Sequence, residues 1–170
     1  VGSDNILTGD VFPARDAPMT FSTQIRITDD LPQGVVFEFG SAACGLVVWV
    51  AGADQKIMAA VGDAVAADGV TLTGPVCVKG QLLRITLACI PASGKARLWV
   101  NGKLVGWGEA TSGSLPNGWS DGGNGAVGDV DTDITTRVPV GDRIVLTNAA
   151  VVAPVSGFVN QRPRQFFEVS

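Results

Sequence analysis

The stretch QLLRITLACIPASGKARLWVNGKLVGWGE, residues 81–109, decides the fold class. Leu83, Ile85, Leu87 and Cys89 are apolar while Arg84 and Thr86 between them are polar, the period-two pattern of a strand with one buried face. Pro91, Ala92, Ser93 and Gly94 break that strand, after which Ala96, Leu98 and Val100 alternate again. Asn101-Gly102 then supplies two residues that tolerate positive φ, as a tight hairpin turn requires, and Lys103 to Trp107 returns as the partner strand.

Working outward, Phe21 to Ile27, Val35 to Phe39, Leu46 to Val50 and Lys56 to Val61 read as four further strands. The breaks between them are Asp29 to Gly34 and Ala51 to Gln55. Asp63 to Pro75 is an Ala- and Gly-rich connection with room for a short edge strand at Val70 to Leu72. The longest loop-like segment runs from Ala110 to Asp133, and long loops in compact domains are more often functional than decorative. Beyond it, Thr135 to Val140 and Asp142 to Thr147 are expected to return to a sheet. The division expected is an arm over 1–18 and a single all-β sandwich domain over 19–170.

Arg97-Leu98-Trp99-Val100-Asn101-Gly102-Lys103-Leu104-Val105, preceded by the strand Leu82 to Ile90, resembles the hairpin of the concanavalin A-like lectin/glucanase and laminin G-like jelly rolls. Thr20 to Ile27, Gly34 to Gly40 and Gly45 to Val50 resemble the earlier strands of that superfamily in order. The similarity covers roughly residues 18–110 and is a pattern of strands without a catalytic signature. It implies an antiparallel β-sandwich jelly roll.

The chain has 170 residues, enough for one domain with a substantial core. Apolar residues make up 46% against 16% charged, with mean hydropathy +0.30, which suggests apolar surface that meets a partner. A net charge of −4 without a Lys/Arg cluster argues against nucleic acid as a partner. No apolar run approaches the roughly 20 residues of a membrane-spanning helix, so no membrane partner is expected. The opening Val1-Gly2-Ser3-Asp4 lacks the charged and apolar regions of a signal peptide. Three cysteines, Cys44, Cys77 and Cys89, cannot all pair within one chain and read as small buried hydrophobes, better suited to a reducing compartment or an intracellularly assembled particle.

The absence of histidine excludes a Ser-His-Asp triad, a Cys-His pair and a His-ligated zinc site. Hydrolytic members of the resembled superfamily carry closely spaced carboxylates on one strand, because a retaining glycosidase holds its two carboxyls about 5–5.5 Å apart. Here Glu38 and Glu109 are isolated, and only folding could bring them together; Glu38 reads as a solvated outward residue. The chain is therefore expected to be non-catalytic. Asp129, Asp131 and Asp133 alternate like the early ligands of a calcium loop but lack its Gly and terminal Glu, so calcium is the one cofactor the pattern allows, against a plain solvated acidic edge.

Tryptophan is the other candidate. By alternation Trp49 and Trp99 oppose the apolar residues of their strands and are expected to share a sheet face with Gln24, Arg26, Glu38, Arg84 and Arg97, while Trp107 and Trp119 are further candidates. Such a face suits a glycan, a protein partner or simple packing between sheets. Near the C-terminus, Arg162, Arg164, Phe166 and Phe167 read as a docking tail or as the flank of a last strand. The leading expectation is a binding or structural module on the surface of an assembly, such as a phage capsid or tail, with protein partners, a homo-oligomer being one such arrangement. The alternative is a lectin-like carbohydrate-binding module.

Overall fold

The computed structural model describes residues 6–7, 15–40, 44–63, 68–119, 124–127, 138–142, 146 and 149–159. Its first strands are β1 (Ile6–Leu7), β2 (Met19–Ile27), β3 (Gly34–Gly40), β4 (Cys44–Val50), β5 (Lys56–Asp63) and β6 (Gly69–Val76). They are followed by β7 (Leu82–Ile90), β8 (Lys95–Val100), β9 (Lys103–Glu109), β10 (Asn124–Val127) and β11 (Ala149–Val159). One sheet runs β1-β10-β3-β4-β5-β6 and the other β11-β2-β7-β8-β9, with antiparallel pairing throughout. The expected edge strand at Val70 to Leu72 is present and longer, as β6, and Ile6–Leu7 of the N-terminal segment adds to the opposite edge.

The alternation that marks β7 places Leu83, Ile85, Leu87 and Cys89 in the core with Phe21, Ile25 and Ile27 of β2 and Ala96, Leu98 and Val100 of β8. The facing sheet contributes Phe37 and Phe39, then Leu46, Val48 and Val50, then Ile57, Ala59 and Val61. A register shift between Val35 and Phe37 lets the consecutive residues Val36 and Phe37 both join this core, as a β-bulge does.

β3 and β4 are buried at every position, because the outer face of their sheet is also covered. There Val35, Val47, Trp49 and Ala60 pack with Val138 in a second apolar cluster. Leu146 N–H donates to the Val35 carbonyl at 3.2 Å. The Asp142 carboxylate accepts from Gly52 N–H at 2.9 Å and from Gln33 Nε2 at 3.0 Å. Residues 140–142, expected to border two strands, form a 3₁₀ turn instead, since Asp142 N–H closes onto the Pro139 carbonyl at 2.8 Å.

The other edge closes by backbone approach. The inward positions of β9 are Gly106 and Gly108, and a Cβ on Gly108 would stand 2.6 Å from Val70 Cγ1 of β6. Only glycine lets the two sheets meet there. At the hairpin, Asn101 and Gly102 adopt φ of 52° and 79°, as the sequence predicts for this turn.

The three cysteines are free and buried, in keeping with their reading as small hydrophobes. Burial pushes the Cys77 and Cys89 thiols up to about 12 from 9.0. The unfolded chain therefore loses these protons above about pH 9 while the native state keeps them. The unfolded state then binds fewer protons, and stability falls as pH rises from about 9 towards 12. Urea midpoints should be lower at pH 10.5 than at pH 8, and a Cys77→Ala, Cys89→Ala double variant should show a smaller fall. Equal falls in both proteins would show that other groups set the alkaline limit.

Candidate functional site

The outer face of the five-stranded sheet is open from Arg26 and Arg84 to Trp107, although Thr20 and Ala88 on the same face are buried, whereas the outer face over β3 and β4 is covered throughout. Arg26, Arg84 and Trp107 are exposed and Gln24, Thr86, Arg97 and Trp99 half-buried, each alternating with core residues or, on β9, with the inward glycines. Strand register sets them in rows. Ser22, Thr86, Trp99 and Leu104 lie across β2, β7, β8 and β9, and Arg97 sits directly opposite Trp107.

A depression of about 510 Å³ opens on this face, lined by Arg84, Thr86, Trp99, Asn101 and Gly102. The hairpin turn builds one wall. Asn101 Oδ1 accepts from Arg84 N–H at 2.8 Å, and Asn101 N–H donates to the Arg84 carbonyl at 2.8 Å, so the turn holds the backbone that carries Arg84. Thr86 and Ser22 share a hydroxyl hydrogen bond of 3.1 Å across β2 and β7. The site thus offers an indole, a guanidinium, a hydroxyl and an amide, the groups that bind a polyol with one apolar side.

Charge is distributed unevenly. The strands of this sheet carry Arg26, Arg84, Lys95, Arg97 and Lys103 against one carboxylate, Glu109. The strands of the other sheet carry Lys56 against Glu38 and Asp63. A chain of net charge −4 has placed a cationic surface on one side.

The structure corrects three sequence expectations. Trp49 does not share a face with Trp99: it belongs to β4 in the other sheet and is 2% exposed within the second apolar cluster. Trp119 is no surface platform either, being 4% exposed and packed edge-on to Phe21 at 5.2 Å between ring centroids. Glu38 points away from the main core but is 5% exposed, because the outer face of its sheet is covered rather than solvated. Glu38 and Glu109 lie on the outer sides of different sheets, so both sheets and the core stand between them and they form no glycosidase pair.

Arg26, Arg84, Arg97 and Trp99 are brought together on one face as expected, and Trp107 joins them there. Sequence reasoning missed Thr86, Asn101 and Gly102 as lining residues; the signal was the β7–β8 register, which sets Thr86 opposite Trp99. Asp129, Asp131, Asp133, Arg162, Arg164, Phe166 and Phe167 lie outside the described residues. Among the described residues no group of three or more acidic or cysteine side chains could hold a metal ion, and no helix is long and apolar enough to cross a membrane.

No protein-family model matches the chain, and no curated protein matches it. Solved structures do. The CBM40 domain of Ruminococcus gnavus IT-sialidase, bound to alpha2,3-sialyllactose, superposes with a TM-score of 0.58 at 12% identity, over 85% of this chain and 77% of that one. Domains LG4-5 of the mouse laminin alpha1 chain give 0.54 at 16% identity, over 89% of this chain and 36% of that one. The fold is a concanavalin A-like jelly roll. A third such jelly roll lies within a leech intramolecular trans-sialidase complexed with 2,7-anhydro-Neu5Ac, at a TM-score of 0.60 and 13% identity. The present chain covers 85% of itself in that match but only 22% of the leech chain. At such identities the likeness speaks to the jelly roll alone, and the site must be argued from its own residues.

Proposed function

We propose that this chain is a glycan-binding β-sandwich module whose ligand lies on the outer face of the five-stranded sheet. The observation that carries the reading is the open depression in which Trp99 and Arg84 flank Thr86 and Asn101. An indole accepts the C–H face of a sugar ring, while the guanidinium fork and the neighbouring hydroxyl and amide satisfy its oxygens. Trp107, 70% exposed beside this depression, extends the platform. A large indole held in water on an ordered strand is a surface feature typical of recognition.

The reading is supported by the CBM40 domain, a fold neighbour bound to sialyllactose. It replaces an assembly component as the leading reading, because that expectation leaned on composition and free cysteines, which point to no site, whereas the depression does. Binding here asks for no catalytic carboxylate pair.

A glycan array with the purified chain tests it. Trp99→Ala should weaken binding by about 2 kcal/mol, roughly thirtyfold in Kd, with little change in thermal stability because Trp99 is only half-buried. A blank array with the unmodified chain, or full binding by the variant, would overturn the proposal.

A further inference from the structure

Resting on the glycan-binding reading, we infer that the ligand is an anionic polysaccharide chain, held at two successive sugar residues by two Arg–Trp pairs. The first argument is charge. Arg26, Arg84, Lys95 and Arg97 all stand on the outer face of one sheet, with Glu109 opposite Lys95 as the single carboxylate of its strands, in a chain of net charge −4. Among the described residues no carboxylate forms an ion pair with Arg26, Arg84 or Lys95. Like charges gathered on a low-dielectric surface repel one another, and a bound anion relieves that repulsion. A neutral glycan would leave it in place.

The second argument is register. Arg84 on β7 is diagonal to Trp99 on β8, since Thr86, two residues on, is the residue directly opposite Trp99. Arg97 on β8 faces Trp107 on β9. A fork and a ring thus meet twice, diagonally in the first pair and directly opposite in the second, with the rings displaced by one strand and two residues and the arginines by one strand and four. Sheet geometry puts the two tryptophan Cα atoms about 8 Å apart, further than one sugar ring spans, so more than one ring of a chain is needed to reach both. At each position a ring stacks on the indole while its carboxylate or sulfate takes the adjacent guanidinium, whose planar fork matches either anion. The chain runs obliquely across β7, β8 and β9, from the hairpin depression towards Trp107.

The test is calorimetric titration of the purified chain with oligogalacturonides graded from monomer to hexamer, heparin-derived oligosaccharides, maltohexaose and a single-stranded DNA oligomer. Affinity for at least one anionic series should rise about tenfold or more from monomer to trimer. It should fall about tenfold between roughly 0.05 and 0.5 M salt. The series that binds identifies carboxylate or sulfate as the anion.

Arg84→Gln should cost about tenfold, and Arg84→Lys should recover part of the loss, because it keeps the charge without the fork. Trp107→Ala should erase the gain in affinity with chain length. Equally tight, salt-insensitive binding of maltohexaose would overturn the anionic assignment and leave the glycan reading standing. A flat dependence on chain length would overturn the two-residue grip, and binding of DNA as tight as that of any glycan would overturn the specificity for polysaccharide. No binding by any glycan, here and on the array, would overturn the glycan reading itself.

Discussion

Replacing Phe21 by alanine should lower the unfolding free energy by about 3–5 kcal/mol, the range for deleting a fully buried aromatic ring. Phe21 is 0% exposed and stands where three parts of the molecule meet. From β2 of one sheet its ring lies 5.1 Å from that of Phe39 and 6.4 Å from that of Phe37, both on β3 of the other. Trp119, from the segment after β9, meets it edge-on at 69°. Removing the ring therefore leaves a cavity bordered by three aromatic side chains, two held on β3 and one on the segment after β9, whose backbones cannot collapse together. A domain of this size is stable by only about 5–15 kcal/mol, so the loss is a large fraction of the total. Urea unfolding should show a lower midpoint with an unchanged slope, and Phe21→Leu should recover most of the difference. A loss under about 1 kcal/mol would mean that these rings do not bridge the sheets.

Gly118→Ala should be nearly as damaging, at about 3 kcal/mol, although it adds a single methyl group. Gly118 has φ of +73°, a conformation that costs an L-residue roughly 1–2 kcal/mol. Its Cβ would also meet the carbonyl oxygen of Arg15, the same carbonyl that accepts the Trp119 N–H at 2.9 Å. Overpacking against backbone, which cannot rotate away, adds roughly a further 1–3 kcal/mol. Relief of the clash would shift Trp119 from its place beside Phe21. Gly113→Ala is the control, because Gly113 has φ of +76° but open space around its Cβ. The thermal midpoint should fall distinctly further for Gly118→Ala than for Gly113→Ala, with a change in tryptophan fluorescence in the first variant alone. Equal shifts would show that only backbone conformation matters and that the approach to Arg15 carries no cost.

The glycine effects were invisible in the sequence, where Gly113 and Gly118 are both loop residues. What separates them is the distant segment that folds against each. The same holds for Gly106 and Gly108 of β9, whose missing side chains let β6 close the sandwich. A residue's φ preference is local, but the space around its Cβ belongs to another part of the chain.

The candidate site divides along the same line. Alternation placed Arg84, Arg97 and Trp99 opposite the core residues of their strands, and the structure puts them there. Alternation likewise turned Trp49 and Glu38 away from the core, and they are turned away. Period two says which side of its own sheet a residue occupies; it says nothing about which sheet the strand joins or what covers that side. The inference that Trp49 and Trp99 share a platform failed on that point, because β4 and β8 pair into different sheets. The segment at Val138 then buries the one and leaves the other at the surface.

The sequence by itself determined the strands of residues 81–109, the Asn101-Gly102 turn and the all-β jelly-roll class, because pleat and turn chemistry are set by neighbouring residues. Only the tertiary structure decided that Trp119 belongs to the core, that Glu38 and Glu109 stand on separate surfaces, and that the cations gather on one open face. Those outcomes depend on strand pairing and on coverage by remote segments. Both are settled by how much apolar surface the whole chain can bury at once, a quantity no local pattern carries.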